Sequence, residues 1–275
     1  MKPRRTVFYL SDRTGITAEV LGKTLLTQFP GVDFRKRMIP FIDTIEKAHA
    51  AREEVNNTAR QEAQRPIVIS TLINDDLREE IEKADALCFD LFAGFIGKLE
   101  GELGTQSSHA LGLTHGIGDA IVYERRMSAV NYALAHDDGL QPANYAEADV
   151  ILVGVSRSGK TPTCLYMAMQ YGARAANYPL TADDFQSMAL PKPLVPHRAK
   201  LYGLTISPER LTKIRSERKP DSHYAALETC RAEVRDAEDL FQRERLPYLD
   251  ATTKSVEEIA ITILHKSGTA ARLQI

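Results

Sequence analysis

The 275-residue sequence predicts an α/β fold built on parallel sheets. Three observations carry this expectation. Short β-branched runs alternate with helix-length stretches, the pattern of strands joined by covering helices. In residues 149–153, Asp149 is followed by Val150, Ile151, Leu152 and Val153, apolar at consecutive positions rather than alternating, as a strand buried on both faces requires. Turn-forming residues stand directly after strand candidates and before helices, where a βα unit needs them.

The elements follow in order. Residues 6–10 form a β-rich run, and Ser11 and Asp12 are placed to cap a helix carrying Ala18, Leu21 and Leu25 on one face. A second strand is expected over 38–42, a polar helix over 44–63, a third strand over 66–72 and a charged helix over 75–84. Residues 101–118, rich in Gly, Ser, Thr and His, read as a long loop, and His109 and His115 there receive no role. A helix over 119–135 ends at the turn His136, Asp137, Asp138, Gly139.

A second unit is expected from residue 146: the apolar strand, a Gly-rich turn, and a helix reaching Tyr171. Further strands are expected over 173–179 and 200–206. Ser207 then caps a helix with Pro208 in its first turn. A long helix over 222–245 sets Leu227, Cys230, Val234, Ala237 and Phe241 on one face. Ser255 and Glu258 have the spacing of a capping box, and Val256, Ile259, Ala260, Ile263 and Leu264 continue with a helical period to Gly268. No internal repeat or low-complexity tract stands out.

Composition narrows the function classes. With 43% hydrophobic and 26% charged residues the chain has a globular rather than a disordered balance. Thirty-five basic against 37 acidic residues give a net charge of −2, which argues against a constitutive nucleic-acid binder. Three scattered cysteines (Cys88, Cys164, Cys230) form neither a disulfide framework nor a zinc pattern and fit a reducing cytoplasm. The N-terminal apolar run is too short for a signal peptide, and none approaches the roughly 18 residues of a membrane span.

Chemistry is concentrated in Gly154, Val155, Ser156, Arg157, Ser158, Gly159, Lys160 and Thr161, which match GxxxxGK[ST], the Walker A phosphate loop. Glycines let the backbone curl so that successive N–H groups face an anion, and the following helix adds its positive end. Lys160 supplies a mobile charge, and the Thr161 hydroxyl is placed to hold Mg²⁺. No guanine-reading NKxD follows, the DxxG form at Asp12–Gly15 precedes the loop, and no plain Walker B run follows it. A P-loop kinase is therefore favoured over a GTPase or motor ATPase. The fold class expected is a parallel-sheet N-terminal region (1–145) and a C-terminal P-loop kinase-like domain (146–275).

A kinase needs a carboxylate near its acceptor. Asp183 and Asp184 follow the second strand of the P-loop unit, and either serve the acceptor or begin a helix. Asp137 and Asp138 are either catalytic or solvated turn residues. Arg210, Lys213, Arg215, Arg218 and Lys219 read as a solvated helix face, with a lid over phosphates as the alternative. Residues 11–15 read as a second anion cradle or an ordinary capped helix.

Several blocks together carry a resemblance: residues 11–19, 132–139, 154–162, 175–179 and 204–211. Over about Val7 to Leu264 the chain resembles the phosphoenolpyruvate synthase regulatory proteins. The resemblance implies a bifunctional enzyme that phosphorylates a threonine of the synthase with ADP as donor, inactivating it. It also implies reactivation by inorganic phosphate, which attacks the phosphothreonine and releases pyrophosphate. A sister group acts on pyruvate, phosphate dikinase; Gly159 and the pair Tyr178, Pro179 look more like the synthase branch. The resemblance further implies a homodimer, and it raises the weight on Asp137 and Asp138 without assigning the base. Two rivals remain: a P-loop kinase of a small metabolite, suited by the spacing from Lys160 to Asp183, and a nucleotide-sensing module that regulates a partner by contact.

Overall fold

A computed structural model describes residues 2–108, 120–139, 142–187 and 189–273. The chain is α/β and divides into two compact units, residues 1–118 and 119–275.

The first unit alternates β1 (Arg4–Leu10), α1 (Ile16–Leu26), β2 (Asp33–Ile39), α2 (Ile45–Glu62), β3 (Ile67–Ser70), α3 (Asp75–Glu82), β4 (Leu87–Asp90) and α4 (Ala93–Leu103). Its four strands are all parallel, in the order β2-β1-β3-β4. Alternate residues of β1 feed the two faces. Phe8 and Leu10 pack with Val55 and Leu77 from α2 and α3, while Val7 and Tyr9 pack with Ala18 from α1. Thr44 and Asn74 cap α2 and α3 by accepting from Lys47 N and Leu77 N.

Three expectations change here. Helix α1 starts at Gly15, in the left-handed conformation and without a side-chain cap, rather than on Ser11 or Asp12. Its buried positions are Ala18 and Gly22, whereas Leu21 and Leu25 are 37% and 49% exposed. The helix sits so close to the sheet that a Cβ on Gly22 would lie 2.6 Å from the Ile69 side chain, so small residues make the contact. The second strand runs over 33–39, not 38–42. As a largely exposed edge strand it has little need of apolar residues, and the chain turns at Phe41, whose φ is +59°.

The second unit contains α5 (Ala120–Ala135), β5 (Val150–Val155), α6 (Lys160–Tyr171), β6 (Ala175–Leu180), α7 (Ala182–Ser187), β7 (Leu201–Thr205), α8 (Pro208–Arg218), α9 (Leu227–Arg243), β8 (Tyr248–Asp250), α10 (Val256–Lys266) and α11 (Thr269–Leu273). The sheet is parallel, in the order β6-β5-β7-β8. Every residue of β5 is buried. Ile151, Val153 and Val155 meet Leu211 of α8 and Val234 and Phe241 of α9; Val150 and Leu152 meet α5, α6 and α10 on the other face. The caps expected at Ser207 and the Ser255–Glu258 box are formed.

The division at 118 and 119 differs from the one expected at 145 and 146, because α5 packs on the second sheet. Ala129 and Ala133 are buried against Val150 and Cys164, and Arg125 Nη2 donates to the Tyr171 carbonyl at 3.2 Å. The expected loop over 101–118 gives way to α4 as far as Leu103; His109 and His115 lie outside the described residues. No helix among the described residues is long and apolar enough to cross a membrane.

Candidate functional site

The candidate site is built where the chain leaves β5, the strand at which the order of the second sheet reverses. The backbone turns sharply, with Ser158 N–H donating to the Val155 carbonyl at 3.3 Å. Gly154 is required by close approach, since a Cβ there would overlap the Leu204 carbonyl oxygen of β7. Arg157 and Gly159 both take left-handed φ values, +73° and +95°. Such a pairing of positive-φ residues before a helix curls N–H groups toward one side. Gly159 is the N-cap of α6 and no side chain caps that end, so the first-turn donors stay open to an anion.

Lys160 is only 4% exposed, and its Nζ donates to the Val155 carbonyl at 2.9 Å. Burial pushes its pKa down to about 8, with Asp138 and Asp137 opposing the shift and Arg215 adding to it. The Ser158 hydroxyl is buried and has no hydrogen-bond partner among the described residues.

Thr161 faces the turn that follows α5. Its Oγ1 donates to Asp137 Oδ1 at 2.7 Å, and Asn177 Nδ2 on β6 donates to the same carboxylate oxygen. Asn177 Oδ1 in turn accepts from Asp138 N–H at 3.0 Å, and Asn177 N–H donates to the His136 carbonyl. Thus three segments far apart in sequence fix one carboxylate on the threonine of the phosphate loop. Asp138, next to it, is exposed and left-handed at φ +49°. Asp137 and Asp138 are therefore brought to Lys160 and Thr161.

Asp183 is not. It stands exposed in the first turn of α7, and among the described residues no hydrogen bond joins it to the phosphate loop. The neighbouring Asp184 accepts from Thr181 N–H and Oγ1, both at 2.9 Å, and from the Tyr178 hydroxyl at 3.2 Å. Asp184 thus organises the start of α7.

The basic stretch also divides. Arg210, Lys213, Arg218 and Lys219 are exposed, but Arg215 is fully buried against the phosphate loop. A sequence signal existed: Arg215 stands four residues after the buried Leu211, where the inward stripe of α8 calls for an apolar side chain. Asn177 was missed as well, because a lone Asn in a strand has no motif to mark it.

Comparison with known proteins finds relatives over nearly the whole chain. The family described as Kinase/pyrophosphorylase matches residues 7–264. The chain is 52% identical over 273 residues to a protein of Laribacter hongkongensis, covering 99% of this chain and 100% of that one. It is 54% identical over 263 residues to one of Azoarcus sp. strain BH72, covering 95% of each chain. A protein of Neisseria meningitidis is 52% identical over 264 residues, 96% of this chain and 97% of its own. All three are named as phosphoenolpyruvate synthase regulatory proteins.

Proposed function

Since this chain belongs to the kinase/pyrophosphorylase family, we propose that it controls phosphoenolpyruvate synthase by reversible phosphorylation of a synthase threonine. ADP is the donor in one direction, and inorganic phosphate is the acceptor in the other. The observation that carries this reading is the Thr161–Asp137 pair at the mouth of the phosphate loop. It supplies what a bare anion cradle lacks, a hydroxyl and a carboxylate side by side.

In the kinase direction the threonine oxygen attacks the β-phosphorus of ADP. The bond from the β-phosphorus to the bridging oxygen breaks and AMP leaves carrying that oxygen, while the hydroxyl proton passes to a carboxylate. We assign that carboxylate to Asp138, because Asp137 is already engaged by Thr161 and Asn177. In the other direction an oxygen of inorganic phosphate attacks the phosphothreonine phosphorus. The bond to the threonine oxygen breaks, the proton of the attacking phosphate returns to that oxygen through Asp138, and pyrophosphate leaves. The loop N–H groups and Lys160 stabilise the charge on the transferring phosphoryl group in both directions. Lys160 must then exchange the Val155 carbonyl for a phosphate oxygen.

Thr161 Oγ1 and Asp137 are hard oxygen donors that suit Mg²⁺, whose remaining ligands would be phosphate oxygens and water. Bound there, the cation would offset negative charge on the diphosphate.

The test is phosphoryl transfer to purified phosphoenolpyruvate synthase, comparing ADP labelled at the β-phosphate with ATP labelled at the γ-phosphate. Label on a synthase threonine from ADP alone, released as pyrophosphate on adding phosphate, is the expected result. No label from either nucleotide, with pyruvate, phosphate dikinase tried as well, would overturn the reading. A small-metabolite kinase or a contact regulator would then take its place.

A further inference from the structure

We propose that Arg215 is a positioning residue of the phosphate loop: its buried guanidinium fixes the Ser156–Arg157 peptide so that the Arg157 N–H faces the bound phosphate. The inference rests on reading the loop as a nucleotide diphosphate site.

Arg215 is 0% exposed on a helix whose other basic residues are solvated. Its Nη2 donates to the Ser156 carbonyl at 3.1 Å and to Glu233 Oε2 of α9 at 2.6 Å. Its Nη1 donates to the Tyr224 carbonyl at 3.0 Å. The guanidinium carbon lies 4.1 Å from the centre of the Tyr224 ring, within cation–π range. The Tyr224 hydroxyl also lies 2.9 Å from Ser156 Oγ. Residue 156 is therefore held twice, at its carbonyl by α8 and at its side chain by the short 3₁₀ turn His223–Ala225.

This contact has a directional consequence. In a trans peptide the carbonyl of one residue and the N–H of the next point in opposite directions. A phosphate loop that turns its N–H groups inward must turn carbonyls outward, and each outward carbonyl buried in protein needs a donor. Arg215 is that donor for the Ser156–Arg157 peptide. Arg157 also has a left-handed φ of +73°, which a non-glycine residue keeps only when its surroundings hold it. Burying an arginine for packing alone is poor economy, since an apolar side chain of similar volume would fill the space without desolvating a charge. Three fixed donors in one plane are what arginine offers and lysine does not.

The test compares ADP affinity by calorimetry, alongside thermal melting, for the full-length wild type, Arg215→Met, Arg215→Lys and the exposed control Lys213→Met. Arg215→Met is expected to weaken ADP binding about tenfold to a hundredfold, the range for groups that orient a site without touching its ligand. Arg215→Lys keeps the charge and loses the fork, so it recovers only part of that loss. Lys213→Met stays at wild-type affinity. A folded Arg215→Met protein with wild-type affinity overturns the inference. So does an equal loss in Lys213→Met, which would mark a general charge effect. Should Arg215→Met not fold, Tyr224→Phe and Glu233→Gln carry the test. Each is expected to weaken binding about threefold, the scale of one hydrogen bond, with unchanged melting. Wild-type affinity in both overturns the inference. Failure of the underlying reading looks different: the wild type itself then binds neither ADP nor pyrophosphate.

Discussion

The two sheets share one plan, β2-β1-β3-β4 in the first unit and β6-β5-β7-β8 in the second. In each, the chain leaves the first strand where strand order reverses, the place at which open parallel sheets bind ligands. In each it then enters a helix through a glycine with positive φ and no side-chain cap, Gly15 at +78° and Gly159 at +95°. The charge placed beside those turns is what differs. The second unit buries an ammonium, Lys160, beside its turn. The first buries a carboxyl, Asp12, whose Oδ2 has no hydrogen-bond partner among the described residues and whose pKa is raised by burial. A buried acid there opposes an anion, and the one cation of residues 11–15, Arg13, is exposed rather than buried beside the turn as Lys160 is. Topology supplies the crevice, and the loop residues decide what enters it.

The largest effect that would break this contrast is at Lys160. Lys160→Ala should remove several kcal/mol of transition-state stabilisation, on the scale of other preorganised donors, and abolish labelling of the synthase. Retained labelling would mean that the loop's backbone suffices without the charge. Next come the paired glycine changes. Gly154→Ala drives a methyl into the Leu204 carbonyl and should destabilise the protein by about 1–3 kcal/mol and abolish ADP binding. Gly15→Ala meets only the flexible end of Met38 and carries a left-handed penalty of about 1–2 kcal/mol. It should lower the melting temperature and leave ADP affinity intact. Equal loss of ADP binding in both would show that the two crevices act together.

Within the second unit, Asp137→Asn should slow phosphoryl transfer about tenfold to a hundredfold and raise the Mg²⁺ concentration required, because Thr161 loses its carboxylate partner. Asp183→Asn should change the rate by less than about twofold, as for an exposed residue outside the site. The reverse order would restore Asp183 as the acceptor-side carboxylate.

The turn from β5 into α6 was legible in the sequence, because Gly154 and Gly159 each answer a local backbone requirement at fixed spacing. The Asp137–Thr161–Asn177 contact was legible only as a candidate pair of acids. It is assembled across 40 residues by the pairing of β6 with β5, and local pattern does not encode that pairing. Arg215 was misread for a related reason. A charge on a helix looks solvated until the tertiary fold supplies Glu233 and the Ser156 carbonyl. Strands β4 and β8 escaped because four residues (Leu87–Asp90) and three residues (Tyr248–Asp250) at sheet edges are too short for periodicity to register.

The smallest effect is also the most direct comparison of the two buried charges. Lys160 has its folded pKa at about 8, below the ordinary 10.5, so its ammonium costs the folded state stability below pH 8. That cost fades as pH rises from 8 toward 10.5. Asp12 is shifted upward, so its cost has the opposite window: absent below the ordinary carboxylate range, and present once pH passes its raised folded pKa. Replacing Lys160 with Met should therefore raise the melting temperature at pH 7 while abolishing transfer, with a gain that shrinks in alkali. Binding of ADP uses the charged form, so at pH 8.5 the wild type should take up part of a proton as Lys160 is recharged against phosphate. At pH 8.5 the terminal phosphate of ADP is already ionised and releases nothing to mask it. Calorimetry in buffers of different ionisation enthalpy reads this number directly. Uptake at pH 8.5 that disappears in Lys160→Met assigns the proton to this lysine. Proton-neutral binding in the wild type would mean that Lys160 is already charged at pH 8.5 before ADP arrives, so that burial lowers its pKa less than the geometry implies.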